Sequence, residues 1–269
     1  LADAFFVAFR IPNFFRRIFG EGALSAAFIP VYSEYEARYP AAEARAFLNL
    51  MAGRLGLVLV SVTALGIVAS PVLVGLMAPG FLDDPVRYDS TVSTLRWTFP
   101  YLFFISLVAM AAGILNTHDR LGAAAATPIL LNLSLITTVW FFVPDSRNGA
   151  VTLGIGVLVA GLVQLGFQFP FLKRLKRIPL PQVRARSRED KAGAAGVGQV
   201  LKLMIPAIFG VSIAQINLLI NTILASFLVT GSVSWLYYSD RLMEFPLGVF
   251  GVALATVILP TLSRQVVQN

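Results

Sequence analysis

The sequence predicts an all-α, polytopic transmembrane helix bundle. Three observations carry that reading. Hydrophobic residues make up 57% of the 269-residue chain, and the mean hydropathy is +0.77. Only 13% of residues are charged, against roughly 25% in soluble domains. The apolar residues also gather in long runs, each near or above the roughly 20 residues that cross a bilayer.

Seven spans follow in order: about 3–36 (bent or broken), 47–78, 94–116, 123–143, 149–172, 198–228 and 234–262. Pro71, Pro100, Pro128, Pro206 and Pro246 fall inside them, which bilayer helices tolerate when neighbours satisfy the freed carbonyls. The connections alternate in charge. The first carries Arg38, Arg45 and Arg54; the second, "PGFLDDPVRYDST", is acidic. The third, "THDRLG", is short, and the fourth, "PDSRNG", is nearly neutral. The fifth, "LKRLKRIPLPQVRARSREDK", holds eight basic and two acidic side chains, a net +6, and the sixth, "TGSVS", has no charge. The odd connections are the basic ones, so the positive-inside rule places them in the cytoplasm. The first span then runs outside to inside, and the chain reads as a piece of a longer protein with a helix before it. The basic fifth loop suits a topology determinant and linker better than a nucleic-acid site.

Composition excludes several chemistries. There is no cysteine, hence no disulfide framework, thiolate site or cysteine nucleophile, and the one histidine is His118. No metal ligand set or nucleophile constellation stands out, so neither an enzyme nor a cofactor is expected.

Charges inside the apolar runs are the informative exception. "FRIPNFFRRIFGEGALSAAFIP" (9–30) could sit in lipid but for Arg10, Asn13, Arg16, Arg17 and Glu21. At 100° per residue, Asn13, Arg17 and Glu21 lie at about 300°, 340° and 20° from Arg10, one face about 80° wide. Arg16 flanks it, and Pro12 is expected to kink the segment. Near the other end, Asp240, Arg241 and Glu244 share a face by i,i+3 and i,i+4 spacing. An arginine at bilayer depth costs roughly 2.5–3.5 kcal/mol, so these groups must pair, snorkel or line a wet cavity. Two readings stay open. The four arginines Arg10, Arg16, Arg17 and Arg241 could pair with Asp3, Glu21, Asp240 and Glu244 as a network joining two lobes. Alternatively they form a cationic, hydrated cavity for a phosphate or pyrophosphate, which the guanidinium fork grips at two oxygens.

The two charged stretches also repeat one another. "FVAFRIPNFFRRIFGEGALSAAFIP" (6–30) aligns with "YYSDRLMEFPLGVFGVALATVILP" (237–260), bringing Arg10 onto Arg241, Phe14 onto Phe245 and Pro30 onto Pro260. Repeated halves around a midplane site are a transporter signature. Other signals are weaker. Gln215, Asn217 and Asn221 suit interhelical hydrogen bonds, and "GIGVLVAG" (154–161) suits close helix packing. Asp83 and Asp84 read as a solvated face.

On these residues a family resemblance can be stated. "DAFFVAFRIPNFFRRIFGEGALSAAFIPVYSEY" (3–35) closely resembles the opening of the MurJ (MviN) family of lipid II flippases. "GSVSWLYYSDRLMEFPLGVFGVALATVILPTLS" (231–263) is similar to that family's eighth helix, and 98–117 and 206–228 also match. The resemblance implies a two-lobe, fourteen-helix fold of the multidrug/oligosaccharidyl-lipid/polysaccharide exporter superfamily, here without the first helix and the last six. It implies 1–172 as the N-terminal lobe (family helices 2–6), 173–197 as a basic cytoplasmic linker, and 198–269 as the first two helices of the second lobe. It further implies a role in peptidoglycan synthesis in the bacterial inner membrane. There the carrier would move lipid II, the undecaprenyl-pyrophosphate-linked precursor, from cytoplasmic to periplasmic leaflet by alternating access. Carried over, Arg16 and Arg241 are the pyrophosphate-binding positions and Asp3 a further charged one. Arg10, Asn13, Arg17, Glu21, Asp240 and Glu244 complete the expected substrate-binding set. Coupling to membrane potential or sodium, and contact with membrane lipids and the cell-wall synthesis and division machinery, are implied too. The rivals are an exporter of another polyprenyl-linked glycan and a non-transporting scaffold whose charges only pair.

Overall fold

The computed structural model describes residues 2–246; for residues 18–21, 213, 214 and 245 only the backbone is described. Among the described residues the secondary structure is helical throughout, with no strand. Five of the helical segments are long and apolar enough to cross a membrane: 41–68, 85–117, 121–141, 149–174 and 188–212. Their outward faces carry Leu65, Val68, Ile136, Trp140, Phe141, Leu162 and Phe169, all exposed. Water would penalise that coat, whereas lipid tails do not.

The first span is one unbroken helical run: α1 (Ala2–Phe15), a π-helix (Arg16–Leu24) and α2 (Ser25–Arg38). The expected kink at Pro12 takes another form. Pro12 cannot donate to the Ala8 carbonyl, and the Thr98 hydroxyl lies 3.3 Å from that oxygen. The helix therefore continues and widens to i→i+5 bonding one turn later.

α3 (Ala41–Val68) and α4 (Ser70–Met77) share the second span and break at Ala69, two residues before Pro71. α5 (Pro85–Thr98) and α6 (Tyr101–Thr117) meet at Pro100. α5 starts nine residues before the expected edge at 94, because Asp84 accepts from Arg87 N at 3.2 Å and Pro85 occupies the first helical position. The 79–91 loop is thus half helix, and Asp84 is a cap. α7 (Leu121–Ala125), α8 (Thr127–Phe141) and α9 (Gly149–Arg174) follow. α9 is the hub against which α5, α6 and α8 pack; Cβ atoms at Gly156 and Gly161 would meet Thr138 and Tyr101 at 2.4 and 2.9 Å.

α10 (Arg188–Ser226) begins ten residues before the expected span. Ser187 and Asp190 form a capping box there, a signal legible in "SRED". At 39 residues it is about 58 Å long, well beyond a bilayer core of about 30 Å. Its first half lies along α3, and the basic segment before it is pinned to α3 as well: Leu180 N and Gln182 N donate to Asn49 at 2.7 and 2.9 Å. α10 comes close to α3 at Gly193, where a Cβ would stand 2.6 Å from Phe47 N. Gly193→Leu is therefore expected to wedge α10 off α3, at a cost of about 1–3 kcal/mol or more. A melt of the detergent-solubilised protein checks it; an unchanged Tm would contradict the packing. α11 (Ser232–Pro246) closes the described chain against α1. The seventh expected span (234–262) is described as far as Pro246, within α11; its remainder lies outside the described residues.

The bundle has two distinct ends. At the basic end, Glu36 accepts from Tyr32 (2.9 Å) and Arg177 (2.7 Å), with His118 3.1 Å from the Tyr32 hydroxyl. Beside it sits an aromatic core of Phe28, Tyr32, Tyr35 and Phe47. At the other end Arg87 meets Asp3 and donates to Thr230, Asp3 accepts from Gly231 N, Gly80 N donates to the Ser226 hydroxyl, and Ser90 bonds Asn148.

Candidate functional site

Three helical elements bring most of the predicted charges together. α1 with its π-helical extension carries Arg10, Asn13, Arg16 and Arg17, α10 stands behind, and α11 faces them. Phe6 stacks on Tyr237 with ring centroids 4.1 Å apart, which sets α11 against α1 one turn before the charges begin. Arg10 Nη2 then meets Asp240 at 3.0 Å, and its Nη1 donates to the Thr222 hydroxyl. Farther along, Arg17, seven residues after Arg10, lies 3.7 Å from Glu244, which also takes Arg241 at 2.9 Å. Arg241 sits over the Tyr237 ring, 5.3 Å from its centroid. Together Arg10, Asn13, Arg17, Asp240, Arg241 and Glu244 line a small cavity of about 40 Å³, with Gln215 and Tyr237 in its wall.

Burial separates the arginines by role. The Arg10 side chain is 13% exposed and committed to Asp240, so it fastens α1 to α11. Arg241 is 48% exposed, with its pair to Glu244 at the solvent-facing side. Arg16 donates to Asn13 Oδ1 at 2.7 Å, and with Arg241 it lines a second cavity of about 530 Å³ between α2, α6, α8 and α9. The flank position that the helical wheel gives Arg16 thus opens onto the larger space.

Asp3 is placed elsewhere. It lies two turns above Arg10, almost fully buried, and accepts from Gly231 N (2.6 Å), Ser234 N (2.9 Å) and Ser234 Oγ (2.5 Å). It caps the α11 N-terminus from another helix, where a carboxylate also meets the positive end of the helix dipole. Arg87 stands 4.0 Å away. The Glu21 side chain lies outside the described residues.

Thr222 and Tyr237 escaped the sequence reading. Tyr237 is one helical turn before Arg241, a spacing that could have found it; nothing in sequence pairs Thr222 with a group 212 residues away. The amides Asn116, Asn132, Gln164 and Gln168 of the larger cavity were also missed. Gln164 and Gln168 share a face of α9 by i,i+4 spacing, a signal that could have found them, whereas nothing along the chain links them to Asn116 on α6 or Asn132 on α8.

Comparison with known proteins bears on this arrangement. The model of the family described as "Lipid II flippase MurJ" matches residues 1–269. The chain belongs to the lipid II flippase MurJ family. Within it, the chain is 45% identical to the "Probable lipid II flippase MurJ" of Haemophilus influenzae, over 98% of this chain and 52% of that protein. It is likewise 45% identical to the one of Vibrio cholerae (98% and 50%), and 40% identical to the "Lipid II flippase MurJ" of Burkholderia cenocepacia (97% and 50%). A solved structure, "Lipid II flippase MurJ, inward closed conformation", superposes with a TM-score of 0.78 at 27% identity, over 97% of this chain and 52% of that one. The chain spans about half the length of the curated MurJ relatives it matches. Its helices and its family make it a multi-pass membrane protein of transporter architecture.

Proposed function

We propose that the complete protein moves lipid II from the cytoplasmic to the periplasmic leaflet of the bacterial inner membrane, and that this chain supplies the cavity wall receiving the pyrophosphate. The observation that supports it most is the gathering of Arg10, Arg17 and Arg241 on one cavity, with Arg16 and Arg241 on the next. These helices carry four arginines and four acids, but Asp3 is engaged at the far end. Three acids remain for four arginines, a surplus of one positive charge that suits an anionic cargo. Arg16, Arg17 and Arg241 then contact the pyrophosphate, Asp240 and Glu244 hold the arginines between visits, and Arg10 positions α1 on α11. Weak pairs such as Arg17–Glu244 can exchange for phosphate oxygens and reform, which keeps affinity modest at both faces.

A second reading is a scaffold in which the charges only pair; the Arg10–Asp240 contact at 3.0 Å is what favours it. Reconstituting the full-length protein in liposomes with labelled lipid II separates the two. Arg241→Ala is expected to slow appearance of lipid II at the far leaflet by about tenfold or more, the loss of one charge-assisted contact of about 1.5–3 kcal/mol. Arg38→Ala, at an exposed cytoplasmic-end arginine paired with Glu34, should leave the rate alone. Equal rates in both variants would make pairing the whole role of Arg241.

A further inference from the structure

The larger cavity has two chemically different ends. Arg16 and Arg241 stand at one end, and the amides Asn116, Gln164 and Gln168 lie in the wall beyond, toward the 118–121 turn. Hydrogen bonding fixes how the glutamines sit. Gln164 Nε2 donates to the Thr127 carbonyl at 3.0 Å, which only an N–H can do. The Thr127 hydroxyl gives its proton to the Ala123 carbonyl (3.3 Å), so at 3.0 Å it accepts from Gln168 Nε2. Both Oε1 atoms are therefore acceptors. Neither has a partner, and neither does Asn116 Oδ1. Among the described residues, three of the six buried side-chain polar atoms without a partner belong to this one cavity wall.

A buried acceptor left without a donor costs about 1–3 kcal/mol. Two of these belong to side chains that are 2% and 0% exposed, so bulk water does not relieve them in this conformation. The wall lacks donors at the very positions where a hydroxyl-rich group supplies them. At about 530 Å³ the cavity falls within the roughly 300–1,000 Å³ of most small-ligand pockets, so it has room for more than a phosphate.

We propose that Gln164, Gln168 and Asn116 form a sugar-recognition wall, accepting hydrogen bonds from hydroxyl or acetamido N–H groups next to the pyrophosphate. This rests on the reading of the arginines as the pyrophosphate site. The order of chemistry along the cavity, cations and then amide acceptors, matches a polyprenyl pyrophosphate that carries saccharide. The wall thus selects a glycosylated carrier lipid over the bare one. Gln164→Met and Gln168→Met keep side-chain length and remove the acceptors.

The test measures binding of two probes to the full-length protein in nanodiscs: lipid II, and undecaprenyl pyrophosphate, which has no sugar. The Gln164→Met/Gln168→Met double variant is expected to weaken lipid II binding about tenfold or more and to leave undecaprenyl pyrophosphate unchanged. Asn116→Leu, at an acceptor with no partner to lose, should show the same selectivity loss to a smaller degree. Unchanged preference in both variants, or an equal loss for both probes, overturns the proposal and leaves the amides as a packing or water-filled feature. Arg241→Ala serves as the companion measurement. If it weakens neither probe, the pyrophosphate reading fails instead, whatever the glutamine variants do.

Discussion

Asp3→Ala is expected to cause the largest loss among single substitutions outside the arginines. The carboxylate takes three hydrogen bonds from the start of α11, each worth about 1.5–3 kcal/mol because the acceptor is charged. With alanine, the Gly231 and Ser234 N–H groups lose their partner at the buried junction of α1 and α11. Arg87 keeps Asp84 at 3.7 Å but loses its second acid. Hydrogen exchange in the 231–236 segment of the full-length protein reads the effect directly. Protection there should fall about a hundredfold, the equivalent of about 3 kcal/mol of local opening. Lipid II transport should drop with it, because this contact ties α1 to α11 at one end of the cavity. Asp3→Asn should fall between: one oxygen can still serve Ser234, while the new amide N–H groups confront the Gly231 donor. Unchanged protection in Asp3→Ala would show that the cap does not hold this end together.

The second large effect lies one layer deeper, at Arg10 and Asp240. Asp240→Ala leaves a largely buried guanidinium with only the Thr222 hydroxyl among its described partners. Breaking a buried pair from one side costs about 3–5 kcal/mol; here the lower part of that range applies, because Asp240 is 23% exposed. Arg10→Gln together with Asp240→Asn removes both charges and retains hydrogen bonding, so much of the loss should return. Melting of the wild type, both single variants and the double variant forms a complete cycle. A coupling energy of at least about 1 kcal/mol is expected. Additive effects would mean that the two side chains are neighbours without being partners, and that α11 is held to α1 by Phe6 on Tyr237 and by Asp3 alone.

These two sites show how much was legible in the chain before it folded. The helical wheel grouped Arg10, Asn13 and Arg17, and i,i+3 and i,i+4 spacing grouped Asp240, Arg241 and Glu244. Both are local geometry. Asp3 was read with the same set because it is an acid on the same helix. Seven residues of helix, about 10 Å of rise, carry it out of the cavity and under the start of α11. The repeat between 6–30 and 237–260 matched the two charged stretches to each other, and in the structure the described parts of both lie face to face. The edges of α5 and α10 were missed although "DDPVR" and "SRED" state them. Capping chemistry sits in polar sequence, where a search for apolar runs does not look.

Composition, run length and loop charge were enough to establish a helical membrane protein, and the two charged stretches were specific enough to point to its family. Each depends on neighbours along the chain or on sums over it. Which arginine is buried, which stays open, and which acid leaves the set to cap a helix depended on contacts across 200 residues and more. The amide wall likewise depended on tertiary contact, which brings Asn116 of α6 to Gln164 and Gln168 of α9. Pairing in the bilayer is decided by which polar group reaches which, because an unpaired charge or acceptor there costs several kcal/mol. Reach of that kind belongs to the packed helices, and no spacing in the sequence encodes it.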